Sequence, residues 1–282
     1  MRQPFKWGRR LNMAKLPISL SVAASSVLGW IIRDLEPPFF SLILTTVALF
    51  LLSCGAGTLN NYQDRRFDAL SSRTRKRPLP ARDISPKQAL IQAGLLIFLG
   101  MAGLYAASVS APLVLMGAGA LICYNGVYTP LKKRTWLAVF PGAICGALPP
   151  LMGWMGAGGD GLDMKIWGVM ILFGVWQIPH FWLVGLASPH EHSHRQWPGP
   201  IPVFFWISLF AALMVAIPMG LFLFSAFFRI LLIMNSALLL ISSAWFFFLR
   251  PGEKKYRAVF QRLNLSIFLG MLLIAARAWA GP

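Results

Sequence analysis

Nine stretches of roughly twenty residues, almost free of ionisable side chains, recur along this sequence. They fall at about 14–33, 39–60, 87–107, 110–128, 136–156, 164–187, 201–224, 229–249 and 257–279. At about 1.5 Å of rise per helical residue, twenty residues cross a hydrocarbon core of about 30 Å. Inside that core no water is present to satisfy the backbone, so each run is predicted to be a helix that closes its own hydrogen bonds. Composition agrees: 57% of the 282 residues are hydrophobic and 12% charged, against roughly a quarter charged in soluble domains. The expected class is an all-α, polytopic membrane bundle forming a single domain over residues 1–282.

A net charge of +17 would suggest nucleic acid in a soluble protein. Here the charges lie in short segments between apolar runs, which points to a membrane and to no nucleic acid. Counted over alternate loops, 22 of the 26 Lys and Arg residues lie on one side and four, Arg33, Lys165, Arg229 and Arg277, on the other. The positive-inside rule then sets the N-terminus in the cytoplasm and the C-terminus outside. The basic head, Arg2, Lys6, Arg9, Arg10 and Lys15, leads into an uncleaved first helix and leaves little room for an organelle transit peptide. A prokaryotic inner (plasma) membrane is the expected location. Cys54, Cys123 and Cys145 share no CxxC spacing and read as small buried hydrophobes.

Nine acidic residues in 282 make each one informative, because a carboxylate near a bilayer must be solvated, paired or metal-bound. Asn60, Asp64 and Asp68 follow the second apolar run at i, i+4 and i+8. On a continuing helix they are offset by about 40° and about 6 Å per step, one polar stripe at the cytoplasmic mouth. Carboxylates on a shared face suit Mg²⁺, which takes one or two of them together with substrate phosphate oxygens. The competing reading is a solvated helix end whose acids pair with Arg65, Arg66 or Arg73. The run Arg73-Thr74-Arg75-Lys76-Arg77-Pro78-Leu79-Pro80 follows; its cations suit a diphosphate, and equally an ordinary positive-inside loop.

At these residues the chain resembles the UbiA superfamily of aromatic prenyltransferases, whose NxxxDxxxD motif Asn60, Asp64 and Asp68 reproduce. Four further blocks resemble its heme O synthase branch. They are Arg73-Thr74 with Arg77-Pro78-Leu79-Pro80, then Tyr128-Thr129-Pro130-Leu131-Lys132-Lys133-Arg134-Thr135, then Gly146-Ala147-Leu148-Pro149-Pro150-Leu151-Met152-Gly153-Trp154, and Trp176-Gln177-Ile178-Pro179-His180-Phe181. Together they cover roughly residues 55–200. The resemblance implies transmembrane helices around a central cavity with a cytoplasmic polar cap. It implies transfer of a farnesyl group from farnesyl diphosphate to a vinyl group of protoheme IX.

By the same resemblance Asn60, Asp64 and Asp68 are the catalytic Mg²⁺–diphosphate site, and Arg73, Arg77, Lys132 and Lys133 contact the diphosphate. Tyr124, Tyr128, Trp176, Gln177 and His180 lie on the acceptor side, where the faces of Tyr124, Tyr128 or Trp176 can also shield an allylic cation. Membrane lipid, and a heme A synthase or oxidase assembly proteins, are the implied partners.

The chain departs from the family where a D-Y-x-x-A-G-x-P type run is expected, reading Ser188-Pro189-His190-Glu191-His192-Ser193-His194-Arg195. His190, His192 and His194 there suit either a metal or heme propionates, or a wet variable loop. His180 lies inside an apolar run and needs a partner, whether catalytic or a packing neighbour. Other classes stay open at this level: a polyprenyl transferase with a quinone-precursor acceptor, a transporter with an Asp-lined vestibule, or a non-catalytic heme-binding protein.

Overall fold

The computed structural model describes residues 7–33, 39–72, 74–108, 111–187, 198–222, 224–249 and 254–279. Arg73 and the histidine loop, with His190, Glu191, His192 and His194, lie outside the described residues. The described residues contain nine helices long and apolar enough to span a bilayer, matching the nine apolar runs. A short amphipathic α1 (Trp7–Met13) precedes α2 (Leu16–Arg33), α3 (Phe39–Asp68) and α4 (Pro86–Ser108). The fourth span starts as α5 (Ala111–Leu121), widens into a π-helical segment (Ile122–Tyr128) and closes as α6 (Thr129–Leu131). Next come α7 (Val139–Gly156), α8 (Met164–Leu186), α9 (Pro200–Leu221), α10 (Ala226–Ala244) with a π-helical end (Trp245–Leu249), and α11 (Lys254–Trp279).

Between helices in lipid, no hydrophobic driving force is left, so close packing relies on small residues that let backbones meet. α2 and α7 meet in this way. A Cβ on Gly153 would stand 1.9 Å from the Ser26 carbonyl oxygen, and one on Gly29 would stand 1.9 Å from that of Pro150. α3 and α4 repeat the device, with a Cβ on Gly55 falling 2.8 Å from Ile97 N and one on Gly100 falling 2.7 Å from Leu52 N. The Gly146–Trp154 block therefore serves backbone contact, and its paired prolines lie buried within α7.

Two details position the site. α3 is 30 residues long and runs past the apolar part of its span without a break, so the polar stripe is helical to its end. The fourth span widens just before Pro130, which has no N–H for the α-helical ladder. π-Segments of this kind often mark functional positions. This one aims Asn125 at α3, where its Nδ2 donates to the Ala56 carbonyl at 3.1 Å and to Gln63 Oε1 at 3.1 Å.

Candidate functional site

The last two turns of α3 bury their polar residues: Asn60 is 0%, Asp64 6% and Asp68 8% exposed. Each is met by a different element. Asn60 Nδ2 donates to Thr129 Oγ1 at 2.8 Å, and Thr129 in turn donates to the Tyr124 carbonyl at 2.8 Å. Asp64 accepts from Lys132 Nζ at 2.5 Å and lies 3.0 Å from Lys133 Nζ. Asp68 accepts from Arg77 Nη1 at 2.9 Å on both carboxylate oxygens, while Thr74 Oγ1 caps the Asp68 carbonyl at 2.9 Å. Arg65 turns away, donating to the Tyr62 carbonyl at 2.7 Å and lying 4.0 Å from the Tyr62 ring. The acids are thus paired, but with cations from two other segments and not with Arg65.

Lys15 is the residue that sequence reading treated only as part of a basic head. It occupies the left-handed region at φ 50° between α1 and α2, where a non-glycine residue is uncommon. That turn aims its side chain down onto α3. Its Nζ donates to Asn60 Oδ1, and its stem lies along Gly57, where an added Cβ would stand 3.4 Å from Lys15 Cβ and Cγ. Burial and the positive charges of Lys132 and Arg77 lower its pKa from 10.5 to about 7, against the opposing pull of Asp64 and Asp68. Lys132 is lowered by burial in the same way, with Asp64 opposing. Lys15, Arg77 and Lys132 therefore form one crowded cationic cluster around two acids, a field that favours an incoming anion.

The carboxylates retain capacity for a hard cation. Asp64 Oδ1, although near Lys133, receives no hydrogen bond of acceptable geometry in a buried setting. Among the described residues no cluster of three His, Cys, Asp or Glu could hold a metal alone. Two carboxylates with open positions are the donor set that magnesium uses when substrate phosphates complete its shell.

Above the cations stands an aromatic wall. Lys132 Nζ lies 5.3 Å from the Tyr128 ring centroid, Tyr128 stacks on Tyr124 at 5.3 Å and 17°, and Phe181 meets Tyr128 edge-on at 6.0 Å. One residue earlier on α8, His180 lies between Trp176 at 4.6 Å and Phe260 at 4.8 Å. Its Nδ1 is 2.9 Å from Asn264 Oδ1 of α11. An amide oxygen only accepts, so Nδ1 carries the proton and Nε2 presents a lone pair. Trp176 Nε1 is buried without a hydrogen-bond partner among the described residues. Gln177 faces elsewhere: its amide fills the notch at Gly146, where an added Cβ would fall 1.4 Å from Gln177 Nε2. The structure thus gathers Asn60, Asp64, Asp68, Arg77, Lys132, Lys133, Tyr124 and Tyr128 at one end of the bundle. Trp176 and His180 extend that group, and Gln177 belongs to the α7–α8 contact.

The chain is similar to several known proteins. A sequence profile of the UbiA prenyltransferase family matches residues 19–270. A protoheme IX farnesyltransferase of Geobacter sulfurreducens is 43% identical over 154 residues, 55% of this chain and 55% of that protein. One from Oleidesulfovibrio alaskensis is 35% identical over 61% of this chain and 60% of its own length. The matched stretch thus spans somewhat over half of these relatives. In fold, a digeranylgeranylglyceryl phosphate synthase structure superposes with TM-score 0.77 at 15% identity, over 96% of this chain and 98% of that one. A UbiA homolog from Archaeoglobus fulgidus bound to GPP and Mg²⁺ superposes with TM-score 0.62 at 17% identity, over 94% and 99%.

Proposed function

Because this chain belongs to the UbiA prenyltransferase family, we propose that it moves a farnesyl group from farnesyl diphosphate to a vinyl group of protoheme IX, in a prokaryotic plasma membrane. The observation that carries the reading is the pairing of buried Asp64 and Asp68, on one face of α3, with cations from two other segments, while Lys15 of a third bonds Asn60 beside them. The name shared by the two curated relatives supports the heme acceptor.

Asp64 and Asp68 would hold magnesium, with Asn60 beside them. When bound, that ion offsets charge on the departing diphosphate. Arg77, Lys132 and Lys133 release their carboxylates to grip the diphosphate oxygens, joined by Arg73, which stands one helical turn's length before Arg77 in sequence. Lys15 turns from Asn60 Oδ1 to the same diphosphate oxygens, leaving that amide oxygen free. Fixed cations in a site poor in water stabilise the leaving group far more than they would in solution. Tyr124 and Tyr128 present ring faces to the allylic carbon, where positive charge develops as the C–O bond breaks. Trp176 and His180 are the acceptor-side residues. Gln177 acts through the α7–α8 contact, holding the helix that carries them.

The test is an incubation of purified protein with protoheme IX, farnesyl diphosphate and Mg²⁺, read by product mass. Farnesylated heme from the wild type, and none from Asp64→Asn or Asp68→Asn, is the expected outcome. Prenylation of a hydroxybenzoate in place of heme would overturn the acceptor while keeping the chemistry.

A further inference from the structure

On the same end of the bundle as the carboxylates, but on its lipid-facing surface, a groove of about 410 Å³ opens between α10 and α11. It runs into a second hollow of about 350 Å³ that shares Phe246 and Arg262. The order of residues along the groove is that of a lipid. Leu238 and Ile241 line the first hollow and Leu265 the second, and all three are more than half exposed. Trp245 and Phe246, from the π-helical end of α10, stand at its mouth with Arg262 and Gln261.

Arg262 is the informative residue. It was counted as a loop cation from sequence, yet α11 carries it two turns inside the span Lys255–Ala278. From Arg262 to Arg277 the helix has no charged residue, a rise of about 22 Å against a hydrocarbon core of about 30 Å. Its guanidinium therefore lies at the edge of the hydrocarbon, where an ionised group needs a counter-charge. Among the described residues no carboxylate pairs with it; its contact is the Phe246 face, 5.1 Å from the ring centroid. Neither α10, its π-helical end nor α11 contains an acid. Lys255 and Arg257 add positive charge one to two turns toward the aqueous side.

We propose that this groove binds an anionic phospholipid, with its phosphate on Arg262 and an acyl chain along Leu238, Ile241 and Leu265. A zwitterionic headgroup fits less well, because its ammonium would meet the positive charge of Lys255 and Arg257. Indole and phenyl groups at the mouth match the glycerol level of a leaflet, where aromatic side chains concentrate. The site is separate from the prenyl-transfer residues and does not depend on their assignment.

The experiment is native mass spectrometry of the delipidated, detergent-solubilised full chain, titrated with dioleoylphosphatidylglycerol or dioleoylphosphatidylcholine. The wild type retains the anionic lipid in preference by roughly fivefold, the size expected for one arginine at a charged headgroup. Arg262→Gln abolishes that preference, and Lys87→Gln, an exposed cation on the same side of the bundle, leaves it intact. Leu265→Trp, which fills the groove with Arg262 in place, lowers retention of the anionic lipid. A wild type without preference, or an Arg262→Gln protein that keeps it, overturns the proposal.

Discussion

Substituting alanine for Gly153 tests the packing on which the site stands. The new Cβ would lie 1.9 Å from the Ser26 carbonyl oxygen, 2.7 Å from its carbon and 2.9 Å from its Cα. All three are backbone atoms, so no side chain can rotate away. Ordinary contact begins at about 3.4 Å, so α2 and α7 must part by about 1.5 Å, the difference between 3.4 and 1.9. A gap of 0.5–1 Å already forfeits about a quarter to a half of the dispersion energy of the atoms involved, and overpacking strain adds about 1–3 kcal/mol. A loss of about 2–4 kcal/mol follows, or roughly 5–15 °C in melting temperature at about 2–4 °C per kcal/mol.

The assay is intrinsic fluorescence of the detergent-solubilised protein, which has 11 tryptophans. Gly94→Ala is the control: nothing lies within 4 Å of its added Cβ, so the gain in helix propensity leaves it unchanged or up to about 1 kcal/mol more stable. Activity of Gly153→Ala should fall as well, because α2 carries Lys15 at its foot. Melting of Gly153→Ala within a degree of Gly94→Ala would refute the close approach of the two helices.

Four further outcomes are expected. Lys132→Gln removes the 2.5 Å partner of Asp64 and lowers kcat by roughly a hundredfold, in keeping with loss of one transition-state donor, measured as product per minute at saturating substrate. Lys15, with a folded pKa of about 7, loses its charge as pH rises through that value while a bound diphosphate would restore it; KM for farnesyl diphosphate should rise about tenfold per pH unit above 7. Lys15→Arg, which stays charged, should show a flat profile over the same range, and a flat wild-type profile would count against Lys15 as an anion contact. Asn264→Leu frees the His180 tautomer and should raise KM for the heme acceptor with little change in KM for the diphosphate, read in two separate substrate titrations. Chelation of divalent ions should abolish turnover and leave the melting temperature within about 2 °C, because Lys132 and Arg77 pair with Asp64 and Asp68; a large fall in melting temperature would mean that the metal also holds the fold.

What could be read without coordinates was whatever depends on local geometry. Nine spans follow from run length alone, since a chain in hydrocarbon has to satisfy its backbone within each segment. The Asn60, Asp64, Asp68 stripe follows from the helical repeat, which needs no knowledge of neighbours. Asn264 could have been noticed, because an amide inside an apolar span needs a partner, but its link to His180 crosses 84 residues and no periodicity encodes that. Lys15 was hidden differently. In sequence it is one more cation in a basic head, and only the left-handed turn at φ 50° and the space above Gly57 make it a neighbour of Asn60.

The amino-acid order by itself determined that this is a helical membrane bundle with a carboxylate stripe at one end, because apolar run length and a 3.6-residue repeat are properties of single segments. Only the tertiary structure decided which cation meets which group of the stripe: Lys132 with Asp64 across 68 residues, Lys15 with the Asn60 amide across 45. Such partners are chosen by where helices cross, and crossings are set by glycine contacts between backbones, such as Gly29 with Pro150 and Gly153 with Ser26, that no single segment contains.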